Sequence, residues 1–293
     1  MPYPSTLAPV RFVITGSAGM LGQDLIAAAR AAGHDLLAIP RAELDIVDGA
    51  AVTQAIAAAR ADVVVNCAAW TNVDGAESDE DGALAVNGAG AGNVAHAASA
   101  SGAWTIHVSS DYVFDGTKRE PYVESDPVEP LSAYGRTKLA GERAVAQAAG
   151  DRHTIVRSSW LFGAGGPCFP ATILRLAAER DELNVVDDQV GCPTFTGHLA
   201  SALVQIAARR PLGVVHVAGG GDCSWYEFAR EIVARAGSSC EVKPCTTADM
   251  PRPATRPAYS ILRSARGDEA PALPEWRAGL AEYLAAVSVG STR

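Results

Sequence analysis

Short apolar runs alternate with longer alanine-rich stretches through the first half of this chain, and that alternation restricts the folds open to it. The runs at 10–15, 36–39, 63–66, 105–109 and 154–157 read as buried strands, and the stretches at 20–32, 49–60, 80–100 and 133–149 read as helices. Strands that alternate with helices form a parallel sheet with helices on both faces, so the expected fold class is α/β, a doubly wound parallel sheet of Rossmann type. Past residue 160 the order weakens into Gly/Pro-rich loops at 163–170, 191–194 and 251–257, with helical stretches at 173–180 and 225–236. The expected division is a nucleotide-binding domain over 1–160 and a smaller, mainly substrate-binding lobe over 161–293. A strand at 214–217 is placed to return to the first domain.

The first strand runs into Thr15-Gly16-Ser17-Ala18-Gly19-Met20-Leu21-Gly22, three glycines at intervals of three where a helix begins. Gly16 permits the sharp turn, Gly19 lets the backbone approach a pyrophosphate, and Gly22 lets the helix pack close to the sheet. The phosphates would rest on the helix N-terminus. A carboxylate normally ends the second strand of folds that prefer NAD, to bond the ribose hydroxyls. Here that segment reads Leu37-Ala38-Ile39-Pro40-Arg41. Arg41 could pair with a 2′-phosphate, which favours NADPH as cofactor with NADH as a second choice.

Tyr134-Gly135-Arg136-Thr137-Lys138 opens a helix, and the spacing of four puts Tyr134 and Lys138 on one face a turn apart. A tyrosine is a poor acid–base group near neutrality unless a neighbouring cation stabilises its phenolate, and Lys138 is placed to do so. A hydroxyl at the C-terminal edge of the sheet would complete the set, and Ser109-Ser110-Asp111 follows a predicted strand.

The segments 66–77, 107–116 (HVSSDYVFDG), 130–142 (PLSAYGRTKLAGE), 157–160 and 187–194, taken with the glycine loop, resemble the extended short-chain dehydrogenase/reductase superfamily over nearly the whole chain. Within it, they are similar to the branch that reduces the C4 ketone of dTDP-linked deoxysugars. The resemblance implies a catalytic Ser110, Tyr134 and Lys138, with Tyr134 as general acid and Ser110 standing where the family commonly has Thr. It implies pyrophosphate contacts from Gly19, Met20 and Leu21, adenine-side contacts from Asp45 and Ile46, and ribose and nicotinamide contacts from Ala68, Ala69, Thr71 and Lys138. Substrate contacts would come from Ser110, Asp111, Tyr134 and Trp160. The implied reaction is reduction of dTDP-4-dehydro-β-L-rhamnose to dTDP-β-L-rhamnose.

Two other readings stay open at this level. An NAD-retaining epimerase or dehydratase has the same fold, although Tyr112 follows Ser110-Asp111 where dehydratases place a glutamate. A non-catalytic NADP-binding regulatory subunit shares the resemblance too. Some relatives hold a metal at a dimer interface through glutamates, but Phe195-Thr196-Gly197-His198 offers no carboxylate, so no metal and a monomer or weak homodimer are expected. A formal charge of −9 leaves no basic face for nucleic acid. The six scattered cysteines, without a CxxC pair, read as reduced thiols. No apolar run reaches membrane-spanning length and the N-terminal segment lacks signal-peptide order, so no membrane association and a cytoplasmic location are expected.

Overall fold

The structure is a computed structural model that describes residues 9–290. Its first half runs β1 (Arg11–Thr15), α1 (Met20–Ala31), β2 (Asp35–Ile39), α2 (Gly49–Ala59) and β3 (Val63–Asn66). Short helices α3 (Val73–Ser78) and α4 (Glu80–Leu84), a π-helical segment over Ala85–Gly90 and α5 (Ala91–Ala100) follow, then β4 (Trp104–Ser110), α6 (Ala133–Ala149) and β5 (His153–Ser158). The second half contains β6 (Leu161–Phe162), α7 (Phe169–Glu179), β7 (Glu182–Val186), β8 (Val190–Gly191), β9 (Thr194–Phe195) and α8 (Thr196–Arg209). It ends with β10 (Gly213–His216), β11 (Cys223–Ser224), α9 (Trp225–Arg235), β12 (Glu241–Cys245) and α10 (Trp276–Gly290).

Six parallel strands form the central sheet in the order β10-β5-β4-β3-β1-β2. Successive side chains on a strand point to opposite faces, so β1 serves two cores. Phe12 and Ile14 pack with Leu21 and Leu25 of α1 and Leu199 and Leu203 of α8. Val13 packs on the other face with Val52 and Ile56 of α2 and Val94 of α5. Burying each such side chain contributes about 1.5–3 kcal/mol, and the apolar strand runs are long enough to serve both layers at once. Strand order reverses between β1 and β3, which opens a crevice at their C-terminal ends, where such folds place ligands. A separate core of Phe162, Ile173, Leu183, Phe228, Trp276 and Leu280 holds the second lobe together. There β7 pairs in parallel with β12.

The structure departs from the sequence expectation at several points, α10 and the β7–β12 pair among them, and two of them shape the layers of the central sheet. The stretch 80–100, expected as one helix, is broken by the π-helical segment. Gly88 and Gly90 lie in this segment, and a Cβ on Gly90 would lie 2.7 Å from the Ile46 side chain, so the segment packs closely on Ile46. The broken turn carries Asn87, which accepts from Trp70 N at 2.8 Å and donates to Thr137 Oγ1 at 3.0 Å, joining the loop after β3 to α6. The second departure is α8, which the loop-like Thr196-Gly197-His198 start conceals; it packs beside α1 on the sheet. β10, near the expected 214–217, pairs with β5.

Candidate active site

Three glycines shape the mouth of the crevice. Gly16 has φ +67°, and a Cβ there would lie 2.5 Å from Ala68 N, so the turn is closed to other residues. A Cβ on Gly22 would lie 2.6 Å from Gly16 O, which is how closely α1 sits on the loop. Gly19 caps α1 without a side chain, leaving the first N–H groups of the helix open. From this mouth a cleft of 430 Å³ runs along the sheet edge. Its walls include Gly16, Gly19, Met20, Leu21, Gly22, Arg41, Asp45, Ile46, Ala68, Ala69, Thr71, Tyr134 and Lys138, all the residues expected at a dinucleotide. The glycine cradle, the uncapped helix and the absence of a carboxylate at the end of β2 fit a phosphorylated dinucleotide. Asp45 also accepts from Val47 N at 3.0 Å, so it shapes its own turn as well as the cleft. Sequence reasoning missed the opposite wall, formed by Leu161, Gly165, Gly166, Pro167 and Thr196. Gln23 ties that wall to the glycine loop by donating to Gly165 O at 3.1 Å and Ala18 O at 2.7 Å.

At the inner end of the cleft the wall carries Ser109, Tyr134 and Lys138; Ser110, which closes β4, lies just beyond that lining, and Tyr134 opens α6. Ser132 caps α6 by accepting from Gly135 N at 3.2 Å, and a Cβ on Gly135 would lie 2.2 Å from Tyr112 O. The helix start is therefore pressed against the turn after Ser110, which sets the Tyr134 phenol near enough to the Ser110 hydroxyl to be influenced by it. Burial pushes the Tyr134 phenol up to about 12 against the opposing pull of Ser110, so Tyr134 is a protonated acid at neutral pH. Lys138 is buried and comes down to about 8, with Glu142 and Cys67 opposing the shift. Its ammonium donates to Val108 O at 2.7 Å. The hydrogen bond of Lys138 thus runs to a strand carbonyl, and burial, Ser110 and Asp111 set the phenol.

Asp111 is 1 % exposed and accepts from Ser110 Oγ at 2.9 Å. Its Oδ2 has no hydrogen-bond partner among the described residues, and burial pushes the carboxyl up to about 6. Trp160 has φ +47° and lies outside the cleft, its ring stacked on Trp225 at 3.5 Å and 4°. A Cβ on Gly191 would meet that ring at 2.5 Å, so the glycine makes room for it. Trp225, absent from the sequence expectations, lines a second cavity of 470 Å³ together with Phe169, Val186, Gln189, Arg252 and Arg256. Arg256 is held by Asp74 through two bonds of 3.0 Å each, across the gap between the lobes.

A doubly wound sheet with a glycine-cradled cleft ending at a serine, a tyrosine and a lysine defines a dinucleotide-binding oxidoreductase of the extended short-chain dehydrogenase/reductase class. Residues 10–289 match the family described as the RmlD substrate binding domain, and the chain belongs to that family. The dTDP-4-dehydrorhamnose reductase of Streptomyces griseus is 44% identical over 98% of this chain and 95% of its own length. The protein of the same name from Mycolicibacterium smegmatis is 45% identical over 96% of this chain and 87% of its own. Among solved structures, the Bacillus anthracis dTDP-4-dehydrorhamnose reductase in complex with NADP superposes with a TM-score of 0.91 at 36% identity, covering 95% of this chain and 99% of that one. The Clostridium acetobutylicum dTDP-4-dehydrorhamnose reductase gives 0.90 at 40% identity over 95% and 99%.

Proposed function

We propose that this chain is an NADPH-dependent reductase that converts dTDP-4-dehydro-β-L-rhamnose to dTDP-β-L-rhamnose, the last step in making that nucleotide sugar. The observation that carries this reading is the cleft that runs from the glycine loop to Tyr134 and Lys138, with Ser110 at the adjoining end of β4. Membership of a family whose members bear the reductase name supplies the substrate class. When bound, NADPH would supply the hydride that goes to the C4 carbonyl carbon. Tyr134 delivers its proton to the carbonyl oxygen, so that the ketone becomes a secondary alcohol. Ser110, which now donates to Asp111, has the developing alkoxide as its alternative acceptor. Asp111 Oδ2, buried without a partner among the described residues, is suited to accept from a sugar hydroxyl. Trp225, on which Trp160 stacks, lines the second cavity and would give the sugar an apolar plate there. Among the described residues no helix is long and apolar enough to cross a membrane. A cytoplasmic place of action belongs to the same proposal, because both reactants are water-soluble metabolites of the cell interior.

Position 112 bears on the dehydratase reading. The Tyr112 ring stands edge-on to Tyr134 at 5.4 Å, and burial moves its phenol upward, so it keeps its proton and supplies no carboxylate base in place of the dehydratase glutamate. The test is purified protein with NADPH and dTDP-4-dehydro-L-rhamnose, following the loss of reduced-nicotinamide absorbance. No turnover, with a partner protein captured instead, would favour a regulatory subunit. Nicotinamide cofactor that stays bound through purification and is recycled would favour an epimerase.

Arg41 gives a separate check on cofactor choice. A charge-assisted hydrogen bond is worth about 1.5–3 kcal/mol, so Arg41→Ala should raise KM for NADPH by roughly 10–100-fold. KM for NADH should stay within about twofold, since that cofactor has no 2′-phosphate to lose a partner. An equal change for both cofactors would remove Arg41 from the 2′-phosphate site.

A further inference from the structure

Behind the catalytic end lies a buried ion pair that the reduction itself leaves unused. Glu142 of α6 binds Arg157 of β5 through two bonds, Nη2–Oε2 at 2.7 Å and Nε–Oε1 at 2.9 Å. Ser109 Oγ donates to the same Oε1 at 2.6 Å. Both charged side chains are only 5 % exposed, and the guanidinium lies 5.1 Å from the centre of the Phe114 ring. An apolar pair of the same volume would often be as stable, so the presence of two charges here calls for another account.

The neighbours of Lys138 supply one. Glu142 follows Lys138 by four residues in α6, and this spacing places both on one helix face. From the loop after β3 and from β4 the lysine is faced by Cys67 and His107, and Tyr134 precedes it by one turn on its own helix. Burial keeps the thiol and the phenol protonated, and burial together with Lys138 keeps the imidazole uncharged. Arg157 stands on the far side of the carboxylate. The glutamate is therefore the anion that faces a lysine buried without a carboxylate in direct contact. Ser109 joins the same carboxylate to the end of β4, next to Ser110.

We propose that Glu142, fixed by Arg157 and Ser109, is a positioning residue that keeps Lys138 charged at neutral pH and ties it to the strand end carrying Ser110. Without the carboxylate, a buried lysine gives up its proton more readily and can no longer present a cation to the cofactor ribose.

This role presupposes the reductase reading of Lys138, but the lysine's titration is measured without turnover, so the two can fail separately. The chain contains three lysines, Lys118, Lys138 and Lys243, and each gives one resolvable signal when lysine is labelled with ¹³C at Cε. In the wild-type chain the Lys138 signal is expected to titrate near 8. In Glu142→Gln it should titrate about one pH unit lower, while Lys118 and Lys243 keep their values. If Glu142→Gln does not fold, Glu142→Gln with Arg157→Gln strands neither member of the ion pair and should displace the Lys138 titration in the same direction. The kcat profile should move to lower pH by the same amount, whereas a mere packing defect would scale it uniformly. A Lys138 signal that titrates at the same pH in the folded variant as in wild type would overturn the proposal.

Discussion

Replacing Tyr134 with phenylalanine is expected to lower kcat for ketone reduction by about 10²–10⁴-fold, the usual share of a positioned general acid. The substitution keeps the ring, and with it the edge-on contact of 5.4 Å to Tyr112. Only the hydroxyl is lost, so the fold and the cleft should be retained. Affinity for NADPH, followed by quenching of protein fluorescence, should therefore change by less than about threefold, because glycine-loop contacts dominate it. A residual rate should survive, since Ser110 can still donate to the developing alkoxide. Burial pushes the phenol up to about 12, so Tyr134 keeps its proton across the neutral range, and loss of the acid form limits wild-type turnover only in strong alkali. A fall in kcat below about tenfold would mean that another group supplies the proton, and the assignment of Tyr134 would fail.

Much of this site is legible in the amino-acid sequence because its parts are local. The glycine loop needs a strand end and a helix start within eight residues, and Tyr134 and Lys138 need only one turn of α6, whose bounds match the expected 133–149. What the sequence hides is tertiary. Glu142 and Arg157 both lie in segments that carry the family resemblance, yet nothing in either segment says that they meet across 15 residues inside the core. Asp74 and Arg256, 182 residues apart, are farther beyond the reach of any periodic pattern. Trp225 reads as an ordinary apolar residue at a helix start until its ring is found stacked on Trp160. The break at Ala85–Gly90 is hidden because a helical period with small residues also suits a π-turn. Spacing puts Lys138 on the right face of its helix but does not reveal the Val108 carbonyl as its hydrogen-bond partner.

The largest expected effect on stability belongs to the same buried pair. Arg157→Leu should destabilise the fold by about 3–5 kcal/mol, because it strands the Glu142 carboxylate in a place that is 4 % exposed. Ser109 would remain as a partner for one oxygen, but one hydroxyl does not replace a two-bonded guanidinium. Glu142→Leu alone should cost a similar amount by stranding the guanidinium. The double variant Arg157→Leu/Glu142→Leu should recover most of the loss, to within about 1–2 kcal/mol of wild type, because neither member of the ion pair is left stranded by the other. Urea unfolding midpoints at a constant slope measure all three, and the non-additivity gives the coupling between the two residues. If the losses simply add, the pair is not coupled and its buried geometry carries no energy of its own. If the double variant is stable but its Lys138 titrates low and its turnover falls, the ion pair contributes to the charge state of the lysine, and stability alone would not account for two charges in the core.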